Sequence, residues 1–236
     1  MIDEIQPSLL PELNEQWRQT LNWQPTSQQQ QQFQRLYELI LEGNRHLNLT
    51  RITDPLDFWE KHLWDSLRGM SGNETVNLSV LSQQPEPLRA IDIGTGAGFP
   101  GLPVAIALPN LTVTLLDSTR KKITFVDSLL SALPITNANT LLGRAEEINK
   151  QPAHRGVYDL AVLRAVASAS DCAKYALPFL KTGGLAILYR GHWTTEEEET
   201  LQSCLQRLNG KLQLVEAFQT PLTQSVRHCI YLQKTA

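Results

Sequence analysis

The chain has 236 residues, 42% of them hydrophobic, and a formal charge of −3. A chain of this length buries roughly 70% of its unfolded surface without help from disulfides or metals, and its three scattered cysteines, Cys172, Cys204 and Cys229, form no C-x-x-C pair, which argues against a disulfide framework or a zinc site. No apolar run approaches the roughly 20 residues of a membrane span, the opening MIDEIQPSLL is not read as a signal peptide, and a soluble cytoplasmic protein is expected.

Residues 1–70 read as an N-terminal helical extension. Leu10, Leu13, Trp17 and Leu21 recur at helical spacing, and the glutamine-rich run that follows carries Phe33, Leu36, Tyr37, Ile40 and Leu41 on one face, with Gly43 as its expected stop. Asp54-Pro55 is a helix start, Asp as cap and Pro in the first turn; Leu56, Trp59, Leu63 and Leu67 form the stripe expected to be buried. His62 and Asp65, one turn apart beside that stripe, are expected to make a packing or surface contact. Residues 71–88 are polar, contain two prolines, and read as a loop or linker.

From residue 89 to 236 short apolar runs alternate with helical stretches. The runs are AIDI, TVTLLD, TLLG, YDLAVLRA and LAILYR, and the last is followed by TTEEEE, whose composition suits a capping box. LQLVEAF and RHCIYLQ close the chain with no helix between them. This order predicts a doubly wound, Rossmann-like α/β sheet, mostly parallel, with an antiparallel C-terminal edge.

The chemistry begins in IDIGTGAGFPG. Two glycine spacings overlap there, one through Gly94, Gly96 and Gly98 and one through Gly96, Gly98 and Gly101, so a sulfonium cofactor and a nicotinamide dinucleotide are both open at this point. Asp117 lies 23 residues beyond Gly94, at the end of the second strand, where an acid reaches ribose hydroxyls. Pro100 removes an N–H from the place where a pyrophosphate would bind, and Asp92 adds negative charge beneath it. Both features favour a cationic methyl donor.

DIGTGAGFPGLPVAI, LLDSTRKKITFV, GRAEE, LAVLRAVAS and the upstream NLT and HLWDS together resemble the bacterial ribosomal RNA small-subunit methyltransferase G family, also called glucose-inhibited division protein B. The likeness runs from about Asn44 to RHC near the C-terminus. It implies a class I methyltransferase sheet binding S-adenosylmethionine and methylating N7 of one guanine in 16S ribosomal RNA, in the naked RNA or the small subunit. It also implies cofactor contacts at Gly94, Phe99, Asp117, Ser118, Thr119, Ala145, Glu146 and Arg164, to which Asp92, Gly96 and Gly98 are added from the loop. Arg144 and Arg227 match arginines of the family pattern. Ala97 stands where the family has proline, and Arg190-Gly191 where it has Lys-Gly; arginine and lysine are not interchangeable.

The chain lacks the (N/D)-P-P-(Y/F) of exocyclic-amine methyltransferases after its fourth strand, and Cys172 reads as core rather than as a nucleophile. Guanine N7 loses no proton before attack, so no general base or metal is expected, and Arg144, Arg164 and Arg190 are candidates for positioning only. The carboxyl ends of the strands gather six basic residues (Arg120, Lys121, Lys122, Arg144, Arg164, Arg190) against three acids (Asp117, Glu146, Glu147). With Arg227, these are the expected RNA contacts, and Phe99, His192 and Trp193 could add stacking or base contacts. A monomer is expected, with no DNA partner. A small-molecule or protein methyltransferase, a nicotinamide dehydrogenase and a non-enzymatic RNA-binding or ribosome-assembly module are the rival readings; cofactor calorimetry and the salt dependence of RNA binding separate them.

Overall fold

A computed structural model describes residues 9–71, 77, 78, 81 and 88–236. Apart from Ser71, Asn77, Leu78, Leu81 and Leu88, the expected linker at 71–88 lies outside the described residues.

Seven strands form one sheet: β1 Leu88–Ile93, β2 Leu111–Asp117, β3 Ala138–Leu142, β4 Tyr158–Arg164, β5 Leu180–Arg190, β6 Gly210–Gln219 and β7 Val226–Lys234. Their order is β3-β2-β1-β4-β5-β7-β6. The first five pair in parallel, while β7 runs antiparallel to both β5 and β6. Period-two alternation sends Ala90, Val113, Leu115 and Val162 into one core and Ile91, Ile93, Leu116 and Leu163 into the other. Both faces are therefore covered, as parallel strands require.

On the first face lie α1 Asn14–Leu21, α2 Ser27–Leu47, α3 Pro55–Phe58, a π-helical turn Trp59–Trp64, α4 Asp65–Arg68, α5 Gly101–Ala107 and α6 Arg120–Ala132. The second face carries α7 Ala145–Ile148, α8 Ala169–Ala176 and α9 Thr195–Leu205. The N-terminal helices share one core with the sheet: Trp17 meets Trp59 at 4.6 Å and Phe33 at 6.3 Å between ring centroids, and all three belong to the cluster that holds Leu115 and Val162.

The glutamine run is an ordinary helix, and its polar side chains attach it to the sheet layer. Thr26 and Gln29 form a reciprocal capping box, Gln29 Nε2 donates to the carbonyl of Ile106 at 2.9 Å, and Gln32 Nε2 donates to that of Pro134 at 3.0 Å. Gly43 does not stop α2, which continues to Leu47 and ends on Asn48 at a φ of 47°. A Cβ on Gly43 would stand 2.2 Å from Phe125 Cε2, so this glycine lets α2 approach α6. Asp54 caps α3 as expected, accepting from the N–H groups of Leu56 and Asp57. Trp59, Leu63 and Leu67 are buried, but Leu56 is 51% exposed, because it stands in the first turn ahead of the contact with the sheet layer. The capping box expected of TTEEEE is half formed. Thr194 accepts from Glu197 N at 3.2 Å, while the Glu197 carboxylate turns to Arg190 instead.

Candidate active site

The glycine loop between β1 and α5 consumes its own donors. Gly94 N and Thr95 N donate to the carbonyl of Leu116, Gly98 N and Phe99 N to that of Thr95, Gly96 N to Asp117 and Gly101 N to Asp92. A pyrophosphate binds a helix start through free N–H groups. Here six of them are committed and residue 100 is proline, so the donor set fits a cofactor without phosphate and disfavours a dinucleotide.

Asp92, expected to contact the cofactor, is not on the wall of the crevice. It is fully buried, and its Oδ2 accepts from Thr95 Oγ1 at 2.6 Å and from Gly101 N at 2.8 Å, which ties the two ends of the loop together. Its Oδ1 has no hydrogen-bond partner. Burial pushes the carboxyl up to about 6 from the usual 3.8, although the bonds from Thr95 and Gly101 pull the other way. A group that the fold prefers neutral stabilises most below its unfolded value, and that stability is lost as pH rises toward the folded value. Across the window from 3.8 to about 6 the loss amounts to about 3 kcal/mol. Asp92→Asn stays neutral, so urea unfolding of the cofactor-free protein should find the variant gaining on the wild type by roughly that amount between the acid and neutral ends of the window. A stability difference that does not change with pH would show that Asp92 titrates alike in the folded and unfolded chain.

Asp117, at the end of β2, is 5% exposed. Its Oδ1 accepts from Thr119 N at 2.8 Å, its Oδ2 from Gly96 N at 3.1 Å, and Lys122 Nζ lies 3.5 Å from Oδ2. It faces a cavity of about 280 Å³ together with Gly94, Ser118, Thr119, Lys122, Arg144, Ala145 and Glu146. A Cβ on Gly94, whose φ is 76°, would stand 2.8 Å from Val166 Cγ2, so a side chain here would close the crevice under Val166. Gly96, Gly98 and Phe99 shape the loop without lining this cavity. Ile93, Leu116, Ala165 and Val166, at or just past strand ends, and Tyr175, in the last turn of α8, do line it; apolar strand ends and a helical tyrosine carry no distinguishing pattern in the sequence.

A second cavity, of about 780 Å³, adjoins the first at Ala165. Arg164, Arg190, His192 and Arg227 line it, with Lys61, His62 and Asp65 from the N-terminal helices. Arg164 was expected at the cofactor, but its side chain points here. Its Nη1 donates to Asp65 Oδ2 and to the Lys61 carbonyl, both at 3.0 Å, and its Nη2 lies 3.4 Å from His62 Nδ1. An arginine can only donate, so His62 Nδ1 is the acceptor and Nε2–H faces Thr50 Oγ1 at 2.9 Å. Burial, reinforced by Arg164, lowers the imidazole to about 3, so it stays neutral. It stacks on Phe99 at 4.3 Å with 14° between the planes. The expected packing contact of His62 is therefore present, and Thr50 of the NLT segment braces it.

Arg190 holds the site's frame: Nη1 donates to the Ala167 carbonyl at 2.8 Å and Nη2 pairs with Glu197 at 2.6 Å. Arg144 is 67% exposed and only 3.8 Å from Glu146, and Arg120 and Lys121 are exposed on the first turn of α6. Trp193 packs against the second core and donates to Glu198 at 3.2 Å, away from both cavities.

A family model described as rRNA small subunit methyltransferase G matches residues 29–228. A protein named Ribosomal RNA small subunit methyltransferase G, from Nostoc punctiforme, is 61% identical over 229 residues, spanning 97% of this chain and 92% of that protein. Among solved structures, a predicted O-methyltransferase from Agrobacterium tumefaciens has a TM-score of 0.54 at 16% identity, covering 67% of this chain and 79% of that one. The M. jannaschii TYW2 structure in complex with AdoMet has a TM-score of 0.50 at 14% identity, covering 66% and 72%. These last two are likenesses of fold.

Proposed function

Since this chain belongs to the rRNA small subunit methyltransferase G family and is an S-adenosylmethionine-dependent rRNA methyltransferase, we propose that it methylates N7 of one guanine in 16S ribosomal RNA, working in the cytoplasm as a monomer. The observation that carries this reading is the pair of cavities joined at Ala165, one walled by Asp117 and the other by arginines.

Bound S-adenosylmethionine supplies an electrophilic methyl carbon on a sulfonium centre. Around it, Asp117 offers Oδ1, which accepts a single bond from Thr119 N, to the ribose hydroxyls. Ser118, Thr119, Ala145 and Glu146 border the nucleoside, and Gly94 leaves room beneath Val166. Asp92, one layer below, braces the loop and puts negative charge under a cationic ligand. On the other side of Ala165 the basic cavity receives the RNA, with Arg164, Arg190 and Arg227 as positioning groups and Arg120, Lys121, Lys122 and Arg144 flanking the nucleoside end. N7 presents a lone pair and carries no proton, so the residues need only align it and exclude water. His62 suits this reading, because both of its ring nitrogens are engaged and it is neutral, leaving it no part as a base.

The test is to supply labelled methyl donor with naked 16S RNA, small subunits and assembly intermediates, followed by N7-directed strand cleavage and primer extension. A single guanine stop is expected, and RNA binding should weaken steeply with salt because phosphates are neutralised. Label on another atom, or on a small molecule or protein alone, would overturn the reading.

A further inference from the structure

The ion pair between Asp65 and Arg164 joins residues 99 positions apart, and the established activity assigns it no task. Both side chains are 16% exposed, so the pair is shielded but open to the second cavity. Both hydrogens of Arg164 Nη1 are used, on Asp65 and the Lys61 carbonyl, and one of Nη2 is aimed at His62. Of the five guanidinium donors, Nε–H and one Nη2–H remain.

An arginine free to rotate beside guanine takes O6 and N7 together, which would occupy the lone pair that must react. An arginine held at Nη1 can offer a remaining donor to O6 and leave N7 exposed. Charge gives a second reason. When N7 attacks, its lone pair becomes the new N–C bond, the C–S pair returns to sulfur, and the positive charge passes from sulfur to the purine. A bare guanidinium nearby would oppose that transfer, and a guanidinium paired with a carboxylate would not.

We propose that Asp65 is a positioning residue that aims and neutralises Arg164, so that the second cavity accepts a guanine that becomes cationic as N7 is methylated. This rests on the N7 reading above. His62, on the π-helical turn, and Thr50, in the loop after α2, complete the restraint, which makes the N-terminal segment part of the substrate site.

The experiment uses the full chain and four variants: D65N, D65E, R164M and D65N/R164M. Two quantities are measured: kcat and KM for methylation, and the ratio of dissociation constants, without cofactor, for N7-methylated over unmethylated RNA at mildly acidic pH. D65N should lower kcat by about 10- to 100-fold, the effect of an unscreened charge a few ångströms away, with KM and cofactor affinity changed by no more than about twofold. It should also raise the methylated-to-unmethylated ratio by about tenfold. D65E should recover most of kcat. D65N/R164M should return the ratio to the wild-type value, because removing both charges restores the balance.

A D65N enzyme with normal kcat, or with its loss confined to cofactor affinity or melting temperature, overturns the inference. So does a double variant that still rejects methylated RNA, and this arm stands even if D65N alone does not fold. A wild type that methylates N7 alongside an unaffected D65N sinks the inference alone. A wild type that methylates another atom sinks the N7 reading and the inference with it.

Discussion

Asp117→Ala is expected to weaken S-adenosylmethionine binding by about two orders of magnitude or more, roughly 3 kcal/mol. On the reading proposed above the carboxylate meets the ligand, and it holds the crevice in shape. Removing it frees Gly96 N, Thr119 N and Lys122 Nζ, the ends of two separate loops, and leaves the ribose hydroxyls without an acceptor. Bonds to a charged acceptor contribute about 1.5–3 kcal/mol each, and part of the loss is recovered by water entering the cavity. Asp117→Asn should fall between, since one amide face cannot accept from both backbone donors. Calorimetry of cofactor binding checks this, with the melting temperature of the free protein as control. Affinity within about threefold of wild type, a difference below about 1 kcal/mol, would show that Asp117 faces no ligand.

The second large effect is expected at Gly101, in the first turn of α5. An added Cβ would stand 2.2 Å from Leu115 Cδ2, 2.7 Å from Asp92 Oδ2 and 3.0 Å from Asp92 Cβ. None of these can yield cheaply: Leu115 and Asp92 have no solvent exposure, and Asp92 is held by the Gly101 N–H itself. Overpacking costs about 1–3 kcal/mol, and breaking a buried bond to a carboxylate adds about as much. Gly101→Ala should therefore lose roughly 4 kcal/mol and about 10 °C in melting temperature. Gly96→Ala is the contrast. Its Cβ would have only Gly94 O at 3.9 Å, and its penalty is the left-handed φ of 62°, worth about 1–2 kcal/mol. A Gly101→Ala loss no larger than that of Gly96→Ala would mean that Leu115 and Asp92 shift to admit the Cβ, and that packing does not set the cost.

Much of this fold is legible because burial on both sides of a parallel sheet leaves an unmistakable pattern. TVTLLD is β2 with one residue added, and LQLVEAF and RHCIYLQ are the antiparallel edge. The strand pattern also puts Asp117 at the end of β2, where the structure has it. A glycine that ends a helix and a glycine that admits another helix, as Gly43 does, look alike in sequence without the neighbour, here Phe125. Glu60 carries no sequence signal for the same reason: it is 1% exposed and accepts from Thr223 N at 2.9 Å and Thr223 Oγ1 at 2.6 Å, fastening the β6–β7 turn to the π-helical segment.

Local period and spacing along one βαβ unit are enough to read the layers, the strand directions, and a glycine crevice with an acid at its edge. What the N-terminal helices do follows from the packing of the layers. Helical periodicity tells which face of residues 55–68 turns inward, but not which strand end it meets. That meeting places His62 on Phe99 and Asp65 on Arg164, so Arg164 lines the larger cavity and not the one that Asp117 faces. Contacts between residues dozens of positions apart, 99 for Asp65 and Arg164, are set by how the layers pack, and no short stretch of sequence records that.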